Sequence, residues 1–495
     1  MKKRFVFVNL SINCGYNSGM NHGIAFLIPI VKKYNYDVSC LNIRKEIRAE
    51  DFADKIKELN PDIVAFSTNS HQLKYLMKYS TALWDFPGML QLAGGVGSTL
   101  DPETVLLKSM VKGVCVGEGE IPLNKLLNNI EKGNDIYDTE GFYWRIDGRI
   151  RKNVIPQFIA DLSDIDLPDH TVFEDNVVGA DRMVSIMVSR GCPYNCYFCC
   201  NVALSSVYPS SKGYFRILPV EKSIRIVENV LKQCPQIEFV HFEDDLLIAN
   251  KEWFLNFADQ YRKRIKLPYR VCVRVECVTK EIVEALKESG CKLVFLGLES
   301  GDESFRSQFL NRKYTNNMLI KKSKLIKDAG IRLFTFNIVG FPCEGKEQML
   351  NTYNLNKSVN PDSGVCTFFY PYKNTELYRI CQEKDLLIDE KDLLEITNYN
   401  TKPAIKMTKQ QEGECIAIQR KLLNYLLNRK ELVEIRDLPF SLKKYLKVLR
   451  HWVKSLLRTS PFLDNLIRGT YFSLKLKILS VAGLTAARYK NRVMI

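Results

Sequence analysis

Three cysteines within one short loop constrain this chain more than any other feature. Cys192, Cys196 and Cys199 fall at C-x3-C-x2-C spacing in Ser-Arg-Gly-Cys-Pro-Tyr-Asn-Cys-Tyr-Phe-Cys-Cys-Asn, residues 189–201. The run follows an apolar stretch, Val184 to Val188, that reads as a strand, so the thiols sit on a loop able to fold all three onto one metal centre. Three thiolates on a four-iron cubane leave one iron without a protein ligand, and an open iron can bind substrate. Zinc and plain burial are the alternatives. Zinc usually takes four ligands from paired Cys or Cys/His units, and no second pair lies nearby in the sequence. A free Cys otherwise packs as a small hydrophobe. Cys200, beside the third thiol, is the candidate for a fourth ligand, which would close the cluster and leave an electron-transfer protein.

The spacing, the Gly-Cys-Pro entry and the aromatic before the third Cys resemble the cluster loop of radical S-adenosylmethionine (SAM) enzymes. That resemblance implies that Cys192, Cys196 and Cys199 ligate a 4Fe-4S cluster whose open iron chelates SAM, and that Phe198 lies near the adenine. Downstream, apolar strands recur with helices between them at Phe239 to Phe242, Tyr269 to Cys277, Leu293 to Leu298, Leu333 to Val339 and Val365 to Tyr370. With Val184 to Val188 they make six βα repeats, too few to close an eight-stranded barrel. The expected fold here is a partial (β/α)6 TIM-type barrel, open on one side. Its strand ends carry polar groups: Glu243-Asp244-Asp245, Arg274, Glu299-Ser300 and Gly340. By resemblance Glu243 and Asp244 hold the amino group of SAM, Glu299 and Ser300 meet its ribose or methionine part, Gly340 lies in the segment against adenine, and Arg274 joins the set. Residues 371–376, Pro-Tyr-Lys-Asn-Thr-Glu, echo a family Pro-x-Pro-Gly-Thr element without its second Pro and its Gly.

Upstream, Arg4 to Asn9, Asp37 to Leu41, Pro61 to Thr68, Gln91 to Gly95 and Val114 to Glu120 alternate with helical stretches. This is the pattern of a parallel, Rossmann-like (flavodoxin-like) sheet, which binds ligands at the carboxyl ends of its strands. The turns Gly94-Gly95-Val96-Gly97-Ser98-Thr99 and Gly117-Glu118-Gly119-Glu120 resemble the cobalamin-binding domain that precedes the cluster domain in one large radical SAM subfamily. The resemblance implies that Ser67, Thr68, Gly94, Gly95, Ser98, Thr99, Gly117, Glu118, Gly119 and Glu120 face cobalamin; tight turns of a sheet are the plainer reading of the same glycines. The family often has His where Gly97 stands. Its Asp-x-His-x-x-Gly motif is absent, because Met20 and Ala25 replace the Asp and the Gly around His22, so His22 is not assigned to cobalt.

The expected units are a cobalamin-binding-like domain (1–140), a connector (141–180) with a hairpin at Asp147-Gly148 and an acidic stretch from Asp161 to Asp169, a radical SAM domain (181–400) and a basic helical C-terminal region (401–495). The chain carries a net charge of +15, and residues 438–495 hold twelve Lys/Arg against one acid, Asp464. Charge so concentrated argues against a nucleic-acid-binding body. It allows a basic amphipathic helix, with Leu442, Leu446, Leu449, Val453, Leu456 and Leu457 on one stripe, to lie on an anionic membrane or pack on a core. Fifteen irregularly spaced Cys and a start without a signal-peptide pattern suggest reduced thiols and a cytoplasmic place, peripheral to the inner membrane face if the tail binds there. The resemblance implies reductive SAM cleavage, an external electron donor such as flavodoxin or ferredoxin, and methylation of an unactivated carbon by way of cobalamin. Rearrangement, cyclisation and methylthio transfer are alternatives within the family; cobalamin storage or electron transfer lies outside it. A hydrophobic or lipid-linked substrate would suit a membrane-bound tail.

Overall fold

The computed structural model describes residues 2–12, 21–86, 88–173 and 182–427. The tail stripe from Leu442 onward, and Met20, lie outside the described residues.

The first sheet is built on apolar runs that bury both faces. Strands β1 (Arg4–Leu10), β2 (Asp37–Ile43), β3 (Ile63–Ser67), β4 (Leu90–Gly94) and β5 (Gly113–Cys115) lie parallel in the order β2-β1-β3-β4-β5. Phe5 and Phe7 face one core, while Val6 and Val8 face the other, as alternation along a strand requires. The order reverses between β1 and β3, the place where open α/β sheets bind ligands. Asn9 of β1 pairs there with Ser67 of β3, which pairs in turn with Gly94 of β4. Expected as part of a connector, the hairpin β6 (Phe142–Ile146) and β7 (Arg149–Lys152) instead extends this sheet by two antiparallel strands. Its turn residues Asp147 and Gly148 both have positive φ, 47° and 76°, which matches the twist of a tight hairpin. The edge needs the cover: Trp144, fully buried, lies against Gly113, where a Cβ would come 2.5 Å from its ring.

The second sheet is all parallel: β8 (Met183–Ile186), β11 (Phe239–Phe242), β12 (Tyr269–Val273), β13 (Cys291–Glu299), β14 (Arg332–Val339) and β15 (Ser363–Phe368) run in the order β15-β14-β13-β12-β11-β8. The expected six-stranded open barrel is therefore present. A short antiparallel pair, β9 (Ser189–Arg190) with β10 (Arg216–Ile217), brackets the cysteine loop. The third barrel strand ends at Val273, short of the expected Cys277, and a 3-10 turn occupies Val275–Cys277. Just beyond the strand's end the Arg274 guanidinium bonds Cys196 and Glu276. The helix Lys409–Leu427 packs Cys415, Ile418, Leu422 and Leu426 beside β15, and Gln419 donates to the Cys366 carbonyl at 3.1 Å, so the C-terminal region covers the barrel's outer strand. One apolar core runs from Phe5 and Leu126 of the first domain to Leu296 and Leu319 of the barrel. No helix among the described residues is long and apolar enough to cross a membrane.

Candidate active site

The cysteine loop is held at both ends. Behind it, the buried Asp244 Oδ1 accepts from the backbone N–H of Val188 (2.9 Å) and Ser189 (2.5 Å) and from the Ser189 hydroxyl (2.5 Å), so this carboxylate clamps the chain just before the thiols. At the far side, Asn311 donates to the Asn195 carbonyl at 2.7 Å. Arg274 Nη1 lies 2.8 Å from Cys196 Sγ, its guanidinium stacks 3.7 Å over the Tyr194 ring, and Arg312 sits beside the same sulfur. Two guanidinium groups thus face one sulfur. A hydrogen bond from Cys200 draws the Cys199 thiol down, whereas burial pushes Cys192 up to about 12. Among the described residues, no three His, Cys, Asp or Glu side chains converge on a point that suits a single ion.

The remaining strand-end residues form two groups. Glu299, buried with φ 63°, sits at an irregularity in the β13–β14 register, and its carboxylate lies 3.3 Å from Arg312. A non-glycine residue held in that region is strained, and such strain gathers at functional sites. Phe198 lies under Arg312 (5.5 Å) and edge-on to Phe341 (5.6 Å), so the loop aromatic meets the residue after Gly340. Glu344 accepts from the N–H of Gly340 and Phe341, fixing that turn, and burial raises the carboxyl to about 8. Ser300 is fully buried, its carbonyl taken by Arg306. Asn374 occupies the place of the missing family Gly with φ 64°, which Asn tolerates better than most residues.

The acidic triplet splits three ways. Asp244 points behind the loop. Asp245 lines the cavity between the domains, and burial, opposed by a hydrogen bond from Asn201, raises it to about 6. Glu243 points at the first domain: Oε2 lies 3.0 Å from His22 Nε2, and Oε1 accepts from Ser185 at 2.8 Å. Burial would raise Glu243, but the bond and charge of His22, with help from His241 and Ser185, hold it at about 2.

That cavity encloses about 520 Å³. Ser67, Thr68, Gly94 and Gly95 line it from the first sheet, Ser189, Arg190, Gly191, Cys200 and Asn201 from the barrel, and Phe7, Ala65 and Leu92 form its apolar depth. Gly117, Glu118, Gly119 and Glu120 also border it, although Glu118 and Glu120 are bonded elsewhere. Glu118 takes Arg216 Nη2 at 2.5 Å and Arg190 Nη1 at 3.0 Å, while Glu120 takes Arg190 Nη2 at 2.5 Å. These ion pairs join the first domain to the two strands that bracket the cysteine loop. Gly117, at φ 90°, has no room for a Cβ because the Tyr208 hydroxyl would lie 2.8 Å away; that hydroxyl accepts from the Glu118 N–H at 2.7 Å. Ser98 and Thr99 are buried outside the lining: Ser98 bonds Thr68, and Thr99 accepts from the Gly117 N–H. A Cβ on Gly97 would stand 2.4 Å from the Asn69 carbonyl carbon, so no larger side chain fits without backbone movement.

Two protein families match this arrangement: the radical SAM superfamily over residues 186–355 and the B12 binding domain over residues 11–127. The chain is a B12-binding radical SAM protein. Among curated relatives, this radical SAM protein is 24% identical to an uncharacterized methyltransferase of Pyrococcus horikoshii, over 83% of its own length and 89% of the relative's. It is 25% identical to the anaerobic magnesium-protoporphyrin IX monomethyl ester cyclase of Rubrivivax gelatinosus, over 81% and 72%. Its fold is shared with the radical SAM methyltransferase TsrM of Kitasatospora setae (TM-score 0.63, 15% identity, 77% of this chain and 76% of that one). It is shared also with the cobalamin-dependent SAM radical enzyme OxsB (TM-score 0.61, 14% identity, 98% and 74%).

The donor sets of this radical SAM enzyme fit its implied groups. The three loop thiols suit a 4Fe-4S cluster, and an apolar slot with a polar mouth at the switch point suits a bulky ring with a long tail. Sequence reasoning missed Arg312, Arg190, Arg216 and Tyr208, whose partners are remote in the chain. Of these, only Arg190 had a local signal, its place two residues before Cys192.

Proposed function

We propose that this radical SAM enzyme transfers a methyl group to an unactivated carbon of a substrate held between its two domains. The reading rests on one observation: a single cavity is lined on one side by the cobalamin-type strand ends Ser67, Thr68, Gly94 and Gly95, and on the other by Ser189, Arg190, Gly191 and Asp245 around the cysteine loop. With its groups bound, a reduced cluster supplies the electron that splits SAM into methionine and a 5′-deoxyadenosyl radical, and cobalamin supplies the methyl group.

The chain's own part is to bind, orient and exclude water. Cys192, Cys196 and Cys199 hold the cluster, and Arg274 and Arg312 stabilise added negative charge beside Cys196. Asp245, which lines the cavity, is the carboxylate of the triplet open to an ammonium, since Asp244 is occupied by the loop backbone and Glu243 by His22 and Ser185. Phe198 and Phe341 offer an aromatic wall for adenine, beside Gly340, Glu299 and Ser300. Ser67, Thr68, Gly94 and Gly95 face cobalamin, with Ser98 and Thr99 supporting them from behind.

Anaerobic reconstitution with iron, sulfide and cobalamin, followed by SAM and a strong reductant, tests the reading. Mass spectrometry should detect 5′-deoxyadenosine, and metabolites from cells with and without the protein should differ by one methyl group. Absence of 5′-deoxyadenosine under every reductant would overturn it. The cyclase-named relative supports a second reading, radical chemistry without methyl gain, which the same metabolite comparison separates. We place the protein in the cytoplasm, with its basic tail, residues 438–495, on an anionic membrane face; deleting the tail should abolish co-sedimentation with anionic vesicles, and unchanged binding would remove this placement.

A further inference from the structure

Between Glu303 and Asp328 the chain carries Arg306, Arg312, Lys313, Lys321, Lys322, Lys324 and Lys327, and no acid. Five of these cations have evident internal work, Lys322 included. Arg306 holds the carbonyls of Ser300 and Tyr314, Arg312 lies buried against Cys196 and Glu299, Lys324 pairs with Asp328, and Lys327 donates to the Asn360 carbonyl. Lys313 and Lys321 meet no carboxylate among the described residues.

Lys313 follows Asn311, which bonds the cysteine loop, and Lys321 lies on a helix packed on the Val275–Cys277 turn, where Cys277 meets Tyr194 of that loop. Pro193 and Asn195 are its exposed residues, and Asn195 is bonded to Asn311, two residues before the exposed Lys313. Lys321 and Lys322 lie on the helix Asn316–Asp328, three and four residues after Met318, and so on the same helical face. Met318 is one of the few large apolar side chains left exposed, at 38%. Lys322 Nζ donates to the carbonyls of Val275 and Glu276; Glu276 pairs with Arg274, and Arg274 donates to Cys196. The basic face is therefore linked to a cluster thiol through two side chains. The B12-type cavity opens on the other flank of the loop, at Gly191 and Cys200.

We infer that Lys313, Lys321 and Met318, with the exposed Pro193 and Asn195, form the docking surface for a small acidic one-electron carrier protein that reduces the cluster. The inference rests on the radical SAM reading, which requires one electron delivered to a buried cluster. It commits to a carrier of negative surface charge, because unpaired lysines around an apolar contact steer such a partner and release it again as salt rises.

The test uses the full chain and a purified acidic flavodoxin. Binding is measured by biolayer interferometry at ionic strengths from about 0.01 M to about 0.15 M, over which the screening length falls from about 30 Å to about 8 Å. Wild type should bind far more weakly at the upper end. Lys313→Glu/Lys321→Glu should weaken low-salt association about tenfold or more and flatten the salt dependence. The equal charge change Lys55→Glu/Lys57→Glu, on the first domain's exposed helix, should alter it little. In parallel, flavodoxin-driven 5′-deoxyadenosine formation should fall about tenfold in Lys313→Glu/Lys321→Glu, while formation driven by titanium(III) citrate stays at the wild-type rate. Salt-independent binding by wild type, or an equal loss in the control variant, would overturn the docking surface whatever the chemistry does. Failure of titanium(III) citrate to yield 5′-deoxyadenosine would strike the proposed function instead, and the binding series would still decide the surface.

Discussion

Glu118 separates a structural strut from a cobalamin contact, two roles its Gly-Glu-Gly-Glu setting leaves open. Its carboxylate takes three charge-assisted bonds, from Arg216 at 2.5 and 3.1 Å and from Arg190 at 3.0 Å. The Arg216 side chain is only 5% exposed, Arg190 is 15% exposed, and Glu118 itself is 19% exposed, so water screens little of this charge. Glu118→Gln keeps the shape and one acceptor oxygen but removes the charge. The amide NH2 then faces an arginine donor, so at least one bond is lost and the rest keep a charge on one side only; at about 1 kcal/mol each, the three cost about 3 kcal/mol. That figure meets the lower end of the ~3–5 kcal/mol typical for breaking a buried pair. The lower end is appropriate because Arg190 keeps Glu120 and Arg216 keeps the Ile159 carbonyl. Urea unfolding of the cofactor-free protein, followed by circular dichroism, should show the loss. Adding Arg216→Met should recover about 1–2 kcal/mol of it, since the stranded cation is gone. A Glu118→Gln protein with unchanged unfolding but much weaker cobalamin binding would refute the strut and return Glu118 to the cofactor.

Alanine at Cys192, Cys196 or Cys199 should each leave reconstituted protein short of iron and of visible absorbance, while Cys200→Ala should keep both; equal loss at Cys200 would mean a closed cluster. Gly97→Ala should destabilise the first domain by about 2 kcal/mol or more, read as a lower midpoint in thermal unfolding, because its Cβ meets the Asn69 backbone at 2.4 Å. Glu243, held at about 2 against an ordinary 4.5, stabilises the fold above pH 4.5, and that contribution fades as pH falls from 4.5 toward 2. His22→Ala should therefore lower stability at neutral pH and flatten the acid limb of a stability–pH curve; an unchanged limb would contradict the pairing.

The cysteine loop was legible because its chemistry is local: three thiols at fixed spacing on one loop need no partner elsewhere to be recognised. The strands were legible for the same reason, since continuous apolar runs mark buried parallel strands whatever surrounds them. The hairpin's turn could be read at Asp147-Gly148, but its membership of the first sheet could not, because that depends on the exposed edge of β5. Likewise the third barrel strand read as running to Cys277 but ends at Val273, and the bond from Arg274 beyond it to Cys196 exists only once the loop has folded.

By itself, then, the sequence determined the two α/β units, the open barrel and the loop that brings three thiols together in the chain. Tertiary structure alone decided the division of labour among the acids. Asp244 turned to the loop backbone, Glu243 to a histidine 221 positions away, Asp245 to the cavity, and Glu118 to two arginines rather than to a bound ring. Local sequence sets backbone preference and burial pattern, but a charge buried between domains takes whichever counter-charge the packing brings near, and that choice is made only when the chain has folded.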